Sequence, residues 1–443
     1  MSSLTPPRGP HVRHHAPGTI KAALAYRDFR IVFVGMALSF VGTWMQNFTL
    51  PAYVDDRTES AALVGLLVFM QLGPLLLLSL VGGVLADRFN RMRFLITMQI
   101  VQMVATIGLA ALVATHSPLW ALYGAVLLTG IANALNAPAF QASIPLLVDR
   151  ADLAGAISLN SAALNGSRVL GPALAAVLAV IGFSVAQVFL VNAATFLFLI
   201  AALVIVRIPD IRGVHPERGW RRLLTGLNIA RRREVLSRTL LAMCMFSLFS
   251  LPFVGLFPSV ARLNFGLATS GSTYKWLYVS WGIGAFIGAL AGGTFLSRID
   301  RRHLVSIGFA TFAVSLGAFA LVRSAGPAFP IAIAVGFTYF LTATSLSTIF
   351  QQNLADTERA AVMPLWFMSF GGTVPIGNLI FGPVIDAIGA RWVLLFGAAF
   401  AAFLAWWADL HRLSAGAFLP EELGGEPFQP ANPARLHEYR IPR

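Results

Sequence analysis

The sequence predicts an all-α integral membrane protein: twelve transmembrane helices in two pseudo-symmetric six-helix bundles. Three observations carry this expectation. Of 443 residues, 57% are hydrophobic and only 12% charged, with a mean hydropathy of +0.74, whereas soluble domains average about 25% charged residues. Apolar runs of about 20 residues, the length that crosses a bilayer, recur along the whole chain. Finally, the chain partly matches itself at an offset near 210 residues, since GGVLADRFNRMRFL at 82–95 falls on GGTFLSRIDRRHLV at 292–305.

The elements follow in order. Residues 1–28 form a polar tail ending in a short amphipathic helix, KAALAYRDF at 21–29, expected to lie on the membrane surface. The predicted spans start near Phe29, Ala62, Phe94, Leu119, Ala156, Val185, Thr239, Trp276, Leu304, Phe329, Ala361 and Arg391. Residues 29–206 then make the N-terminal bundle and 239–412 the C-terminal bundle. A basic linker, 207–238, joins them. Its second half, WRRLLTGLNIARRREVL, has helical periodicity. Residues 413–443 make a C-terminal tail. Further repeat matches support the duplication: LVDRADLAGA (147–156) resembles LADTERAAVM (354–363), and Gly171-Pro172 resembles Gly382-Pro383.

The net charge is +13, almost all from Arg, with Lys only at positions 21 and 275. With the N-terminus placed inside, 26 of the 32 Lys and Arg residues fall in inner segments. Arg57, Arg262, Lys275, Arg323 and Arg391 fall outside, and Arg168 lies within a span. This asymmetry predicts both termini in the cytoplasm and an even number of spans. Basic residues crowded at membrane ends face lipid headgroups, so nucleic acid is not an expected partner.

One cysteine, Cys244, excludes a disulfide framework and a multi-cysteine metal site. There is no GxxxxGK[ST] nucleotide loop and no discernible catalytic or metal constellation. No cofactor and no metal are expected, and the chain is not expected to be an enzyme; a membrane-embedded sensor or enzyme is the distant alternative.

Polar residues inside spans are costly and mark function or helix contacts. Span five carries Ser158, Ser161, Asn165 and Arg168 at helical spacing, so they form one stripe. Arg168 sits about 20 Å from the inner end at 1.5 Å per residue. No Asp or Glu lies deep in any span. Arg168 is either a cavity cation awaiting an anionic or acceptor-rich substrate group, or a structural residue bonded between helices. Asn133 and Asn136 on span four are expected at its depth. Span one offers Thr43, Gln46 and Asn47. Gln71, Tyr278, Trp281, Tyr339 and Asn378 add polar or amphipathic candidates on spans two, eight, ten and eleven.

The loop Gly83-x-Leu85-Ala86-Asp87-Arg88-x-Asn90-Arg91 resembles the signature G-x-L-A-D-R-x-G-R-[KR] of the major facilitator superfamily, over residues 20–412. Segments such as LLLSLVGGVLADRFNR and ISLNSAALNGSRVLGPALA are similar to the bacterial drug and siderophore exporter branch. The resemblance implies two bundles with a substrate cavity between them, lined by spans that include two, eight, ten and eleven. It also implies a cytoplasmic gating loop made by Gly83, Asp87, Arg88 and Arg91, which latches onto the start of span eleven. A degenerate second copy holds Arg298, Asp300 and Arg301, with Ser297 in place of the acid. Gly171-Pro172 matches the start of the antiporters' span-five packing motif, G-P-x-x-G-G, with Ala175 and Ala176 replacing its glycines.

The implied function is secondary active export of an amphipathic small molecule from a bacterial inner membrane by alternating access. Protons are the candidate coupling ion. Uptake of a small metabolite or organic anion is the alternative. The expected partners are the small-molecule substrate, protons and the lipid bilayer, and the expected state is a monomer.

Overall fold

The computed structural model describes residues 16–88, 90–141, 143–206, 220–293, 296 and 299–410. Among the described residues the fold is all helix. A short α1 (Ile20–Ala25) precedes α2 (Arg27–Thr58), α3 (Ala61–Arg88), α4 (Arg91–Ala114), α5 (Leu119–Gln141), α6 (Leu153–Val180) and α7 (Val185–Ile205). The second set runs through α8 (Trp220–Arg232), α9 (Glu234–Met245), α10 (Pro252–Gly255), α11 (Phe257–Phe265), α12 (Ser272–Gly293), α13 (Arg301–Leu321) and α14 (Ala325–Gln352). It closes with α15 (Asp356–Phe367), α16 (Thr373–Ile388) and α17 (Ala390–Trp407).

Nine described helical segments are long and apolar enough to cross a bilayer. The predicted spans two, seven and eight, which are not among those nine, fall on α3, the broken α9–α11 segment and α12. Two segments are broken by single π turns. Phe246–Ser250 separates α9 from α10, and Met368–Gly372 separates α15 from α16. Pro252 follows the first π turn and Pro364 precedes the second, where a missing N–H weakens the regular ladder.

The surface helices depart from the expected bounds. The N-terminal helix is shorter than 21–29, because Tyr26 takes an extended backbone (φ −74°, ψ 114°) between α1 and α2. Tyr26 instead turns its hydroxyl onto the carboxylates of Asp149 and Asp152, each at 2.8 Å, ahead of α6. Asp152 also accepts the Gly18 N–H at 2.9 Å. Burial, and then these carboxylates, hold the Tyr26 phenol well above its usual pKa. In the second set, α8 packs on α15 at Gly226 and Ala361, much as α1 packs on α6 at Thr19 and Gly155. Arg233, between α8 and α9, donates to Glu358 at 2.7 Å. The two surface helices therefore hold matching places in the two halves of the repeat.

Two apolar clusters form the core. One, around Phe29, Val32, Phe94, Phe140, Ile144 and Leu203, lies at one end of the α2–α7 set. The other runs across both sets and is rich in rings. Phe246 makes edge contacts with Phe309 and Phe312 at 5.1 and 4.9 Å, and Phe257 does so with Tyr278 at 5.1 Å. Such pairs add about 0.5–1.5 kcal/mol each beyond their buried area.

Candidate functional site

Arg168 lies midway along α6, where that helix meets α12: the Arg168 carbonyl and Val169 pack against Gly282. Its guanidinium carbon stands 5.0 Å from the Trp44 ring, 5.2 Å from Phe340 and 6.0 Å from Phe370. Trp44 comes from α2, Phe340 from α14, and Phe370 from the π turn between α15 and α16. The extra residue of a π turn shifts the side chains that follow it, and such turns recur at functional sites. The guanidinium also lies within hydrogen-bonding reach of Tyr339 and faces Tyr278.

The rings beside the arginine pack in a chain, one contact stacked and two tilted. Tyr278 packs on Trp281 at 5.2 Å, Trp281 on Tyr339 at 6.1 Å, and Tyr339 on Phe340 at 4.4 Å. All four are nearly buried. Two buried donors in this group lack an acceptor: Nε of Arg168 and Nε1 of Trp281. Among the described residues no carboxylate pairs with Arg168. Cation–π attraction partly offsets the cost of its burial, by about 0.5–2 kcal/mol per ring contact. It leaves the Nε–H of Arg168 free for an acceptor.

The other predicted site residues divide into several groups. Arg168, Tyr278, Trp281 and Tyr339 are brought together. Thr43 is half-buried beside Trp44. Gln71 donates to Asn47, so these two half-buried amides pair with each other across α2 and α3. Gln46 is instead turned away, accepting from Asn192 on α7 at 2.8 Å in a buried bond. Asn378 is fully buried, donates back to Val374 at 2.9 Å, and packs against Gly65 and Gly255. Both therefore make interhelical contacts, while Oδ1 of Asn378 is buried without a hydrogen-bond partner.

Asn165 donates to the Ser161 carbonyl at 3.0 Å on its own helix, and Ser161 is exposed. Asn133 is half-buried; Asn136 is buried, with its Oδ1 unpartnered. The rings of Trp44, Phe340 and Phe370 are the groups that the structure places against the Arg168 guanidinium. Gly171 lets α6 approach α2: a Cβ there would lie 2.7 Å from the Met45 nitrogen. Pro172 beside it is buried within α6.

In the loop after α3, Asn90 caps α4, accepting from the Arg93 N–H at 3.0 Å, and Arg91 is buried. Gly83, Asp87 and Arg88 close the helical run of α3, but their side chains lie outside the described ones, as does Arg298 altogether. Asp300 caps α13 and pairs with Arg302 at 2.9 Å on the same helix, while Arg301 donates to the Gly292 carbonyl at 3.4 Å. Trp44, Phe340 and Phe370 were not singled out from the sequence. The adjacent Gly371-Gly372 was the one local signal that the backbone near Phe370 is irregular.

A many-helix membrane fold, duplicated in sequence and meeting at one polar group deep between its halves, is the architecture of a secondary transporter. Solved structures agree on the fold. The nucleoside transporter NupG matches with a TM-score of 0.66 at 14% identity, over 88% of this chain and 100% of that one. A bacterial homologue of the human lysosomal transporter Spinster, in an inward-facing and unoccupied conformation, matches at 0.68 and 15%, over 91% and 99%.

Residues 19–420 match the transmembrane secretion effector family (MFS_3), and the chain belongs to that family of major facilitator transporters. Among curated relatives, macrolide efflux protein A of Streptococcus pyogenes is 24% identical over 83% of this chain and 92% of its own length. The enterobactin exporter EntS of Salmonella typhi is 28% identical over 74% and 78%.

Proposed function

We propose that this transporter exports amphipathic, ring-bearing small molecules that carry an anionic or acceptor-rich group, across a bacterial inner membrane, by alternating access. The observation that carries the reading is Arg168: a cation stacked among rings from both halves, with unpaired N–H donors beside it and no carboxylate partner among the described residues. A substrate ring can intercalate among Trp281, Tyr339 and Phe340, while its oxygens take the free donors of Arg168 and Trp281. Efflux relatives of two chemistries, a macrolide and a siderophore exporter, support outward transport of bulky compounds.

The proposed topology is twelve crossings in two six-helix bundles, 29–206 and 239–412, with both termini in the cytoplasm. The 207–238 linker then joins the bundles on that same side. Protons are the proposed coupling ion, and the proposed unit is a monomer.

The test compares cells with and without the protein, measuring retained and released amounts of a panel of amphipathic compounds and their uncharged analogues. Lower retention of the anionic or acceptor-rich members is expected; equal or greater retention would overturn export. In proteoliposomes carrying one transported panel member, an imposed pH gradient is expected to accelerate flux. Flux indifferent to the gradient would sink proton coupling.

A further inference from the structure

One pair of helices packed across the two halves is α3 and α16, the start of one beside the end of the other. Where α3 begins and α16 ends, Asp386 reaches from α16 across the divide. Its carboxylate accepts three hydrogen bonds at once: from the Ser60 hydroxyl at 2.8 Å, the Ala61 N–H at 2.8 Å and the Ala62 N–H at 2.9 Å. It thereby caps the first turn of a helix belonging to the other half. The first N–H groups of a helix have no partner within it, and an anion there also gains from the helix dipole.

A second carboxylate works beside it in the opposite sense. Asp55, at the end of α2, is fully buried and takes Nε and Nη2 of Arg262 on α11 at 2.9 and 3.1 Å, as well as the Ser259 hydroxyl. The Arg262 charge also faces Glu59 and Asp386, so the two clusters share one field. Next to them, Thr269 and Ser270 reach the carboxylate of Asp56. Among the described side chains, these hydrogen bonds and this ion pair join the two halves at this end.

We propose that Asp386 on the start of α3, together with Asp55 on Arg262, is a releasable latch that holds this end of the transporter shut and must break for the substrate path to open there. The chemistry suits reversible closure. Every group in the latch is polar and sits at a helix end, so parting the helices returns each to water rather than stranding it. Beneath the latch the contact is backbone on backbone: a Cβ on Gly382 would lie 2.6 Å from the Ala61 carbonyl. Surfaces this smooth can separate without unthreading side chains. The arrangement mirrors the gate that family resemblance assigns to Asp87, at the end of span two against the start of span eleven. Here the end of span eleven holds the start of span two.

The test needs no substrate, so it fails or succeeds independently of the export reading. In a Cys244→Ser background, spin labels are placed on Ala114→Cys and Arg323→Cys, both exposed at this end and on opposite halves. A control pair, Ala114→Cys with Phe183→Cys, lies within one half. Asp386→Ala is expected to raise the long-distance fraction of the cross-half pair at least threefold and to leave the control pair unchanged. Adding Arg262→Ala should raise it further. Asp386→Asn, which keeps an acceptor but loses the charge, should fall between, and it carries the test if the alanine variant does not fold. An unchanged cross-half distribution would overturn the latch. So would equal broadening of both pairs, since that would make Asp386 a determinant of folding.

Discussion

Arg168 is surrounded by rings and hydroxyls, and this decides how its replacements should behave. Lysine keeps the charge but loses the flat face that lies over Trp44 and Phe340, and it offers a point charge in place of a planar fork. Arg168→Lys is therefore expected to keep part of the binding. Arg168→Ala should lose at least tenfold, about 1.4 kcal/mol. The stack contributes only about 0.5–2 kcal/mol per ring, so the alanine protein should still fold. Melting temperature in detergent, measured beside substrate binding, separates the two roles. A large fall in melting temperature, with transport merely tracking yield, would make Arg168 a packing residue. The sequence made Arg168 visible because a lone cation inside an apolar run is conspicuous. Its neighbours were not, because Trp44, Phe340 and Phe370 are rings among 34 Phe and 9 Trp, and nothing local marks which rings meet. The contacts of Gln46 and Asn378 are not legible for the same reason. Their contacts, Asn192 for one and the close approach of Gly65 and Gly255 for the other, come from helices distant in the chain.

At the scale of elements, hydropathy located the long helices because a bilayer imposes one length on all of them. Each predicted span start falls within five residues of a helix start in the structure. Of the π turns in the seventh and eleventh segments, Gly371-Gly372 marks only the second, and Phe246–Ser250 carries no glycine or proline of its own. The loops carry the next prediction. Asp87→Asn removes a charge while keeping shape, and it is expected to insert normally yet lose most transport. Asp300→Asn should do far less, because Asp300 is occupied on its own helix by the N-cap bond and by Arg302. The measurement is initial efflux rate at matched protein level in the membrane. Near wild-type flux from Asp87→Asn would reduce that loop to a membrane anchor.

For the whole molecule, the proposed topology gives the two ends of the helix bundle different charge. Among the described residues, Arg57, Arg262, Lys275, Arg323 and Arg391 lie at the end bearing the latch, the outer end in the proposed topology. At the other end, Ser158 and Ser161 on α6 are exposed although they lie on the stripe that leads to Arg168. In the proposed topology this stripe leads to the ring-lined arginine from the arginine-rich side. Ser161 lies about 12 Å along α6 from its first residue at 1.5 Å per residue, too deep for a loop position. Ser161→Cys in a Cys244→Ser background should therefore react with a membrane-impermeant maleimide in inside-out vesicles. In intact cells it should stay protected, apart from the fraction of molecules that have opened the latch. Adding Asp386→Ala should raise the labelling from the cell exterior, because the same residue then becomes reachable from the other side. Labelling of the single variant only from the exterior would reverse the topology; exterior labelling that Asp386→Ala leaves unchanged would show that the two ends are not exchanged in turn.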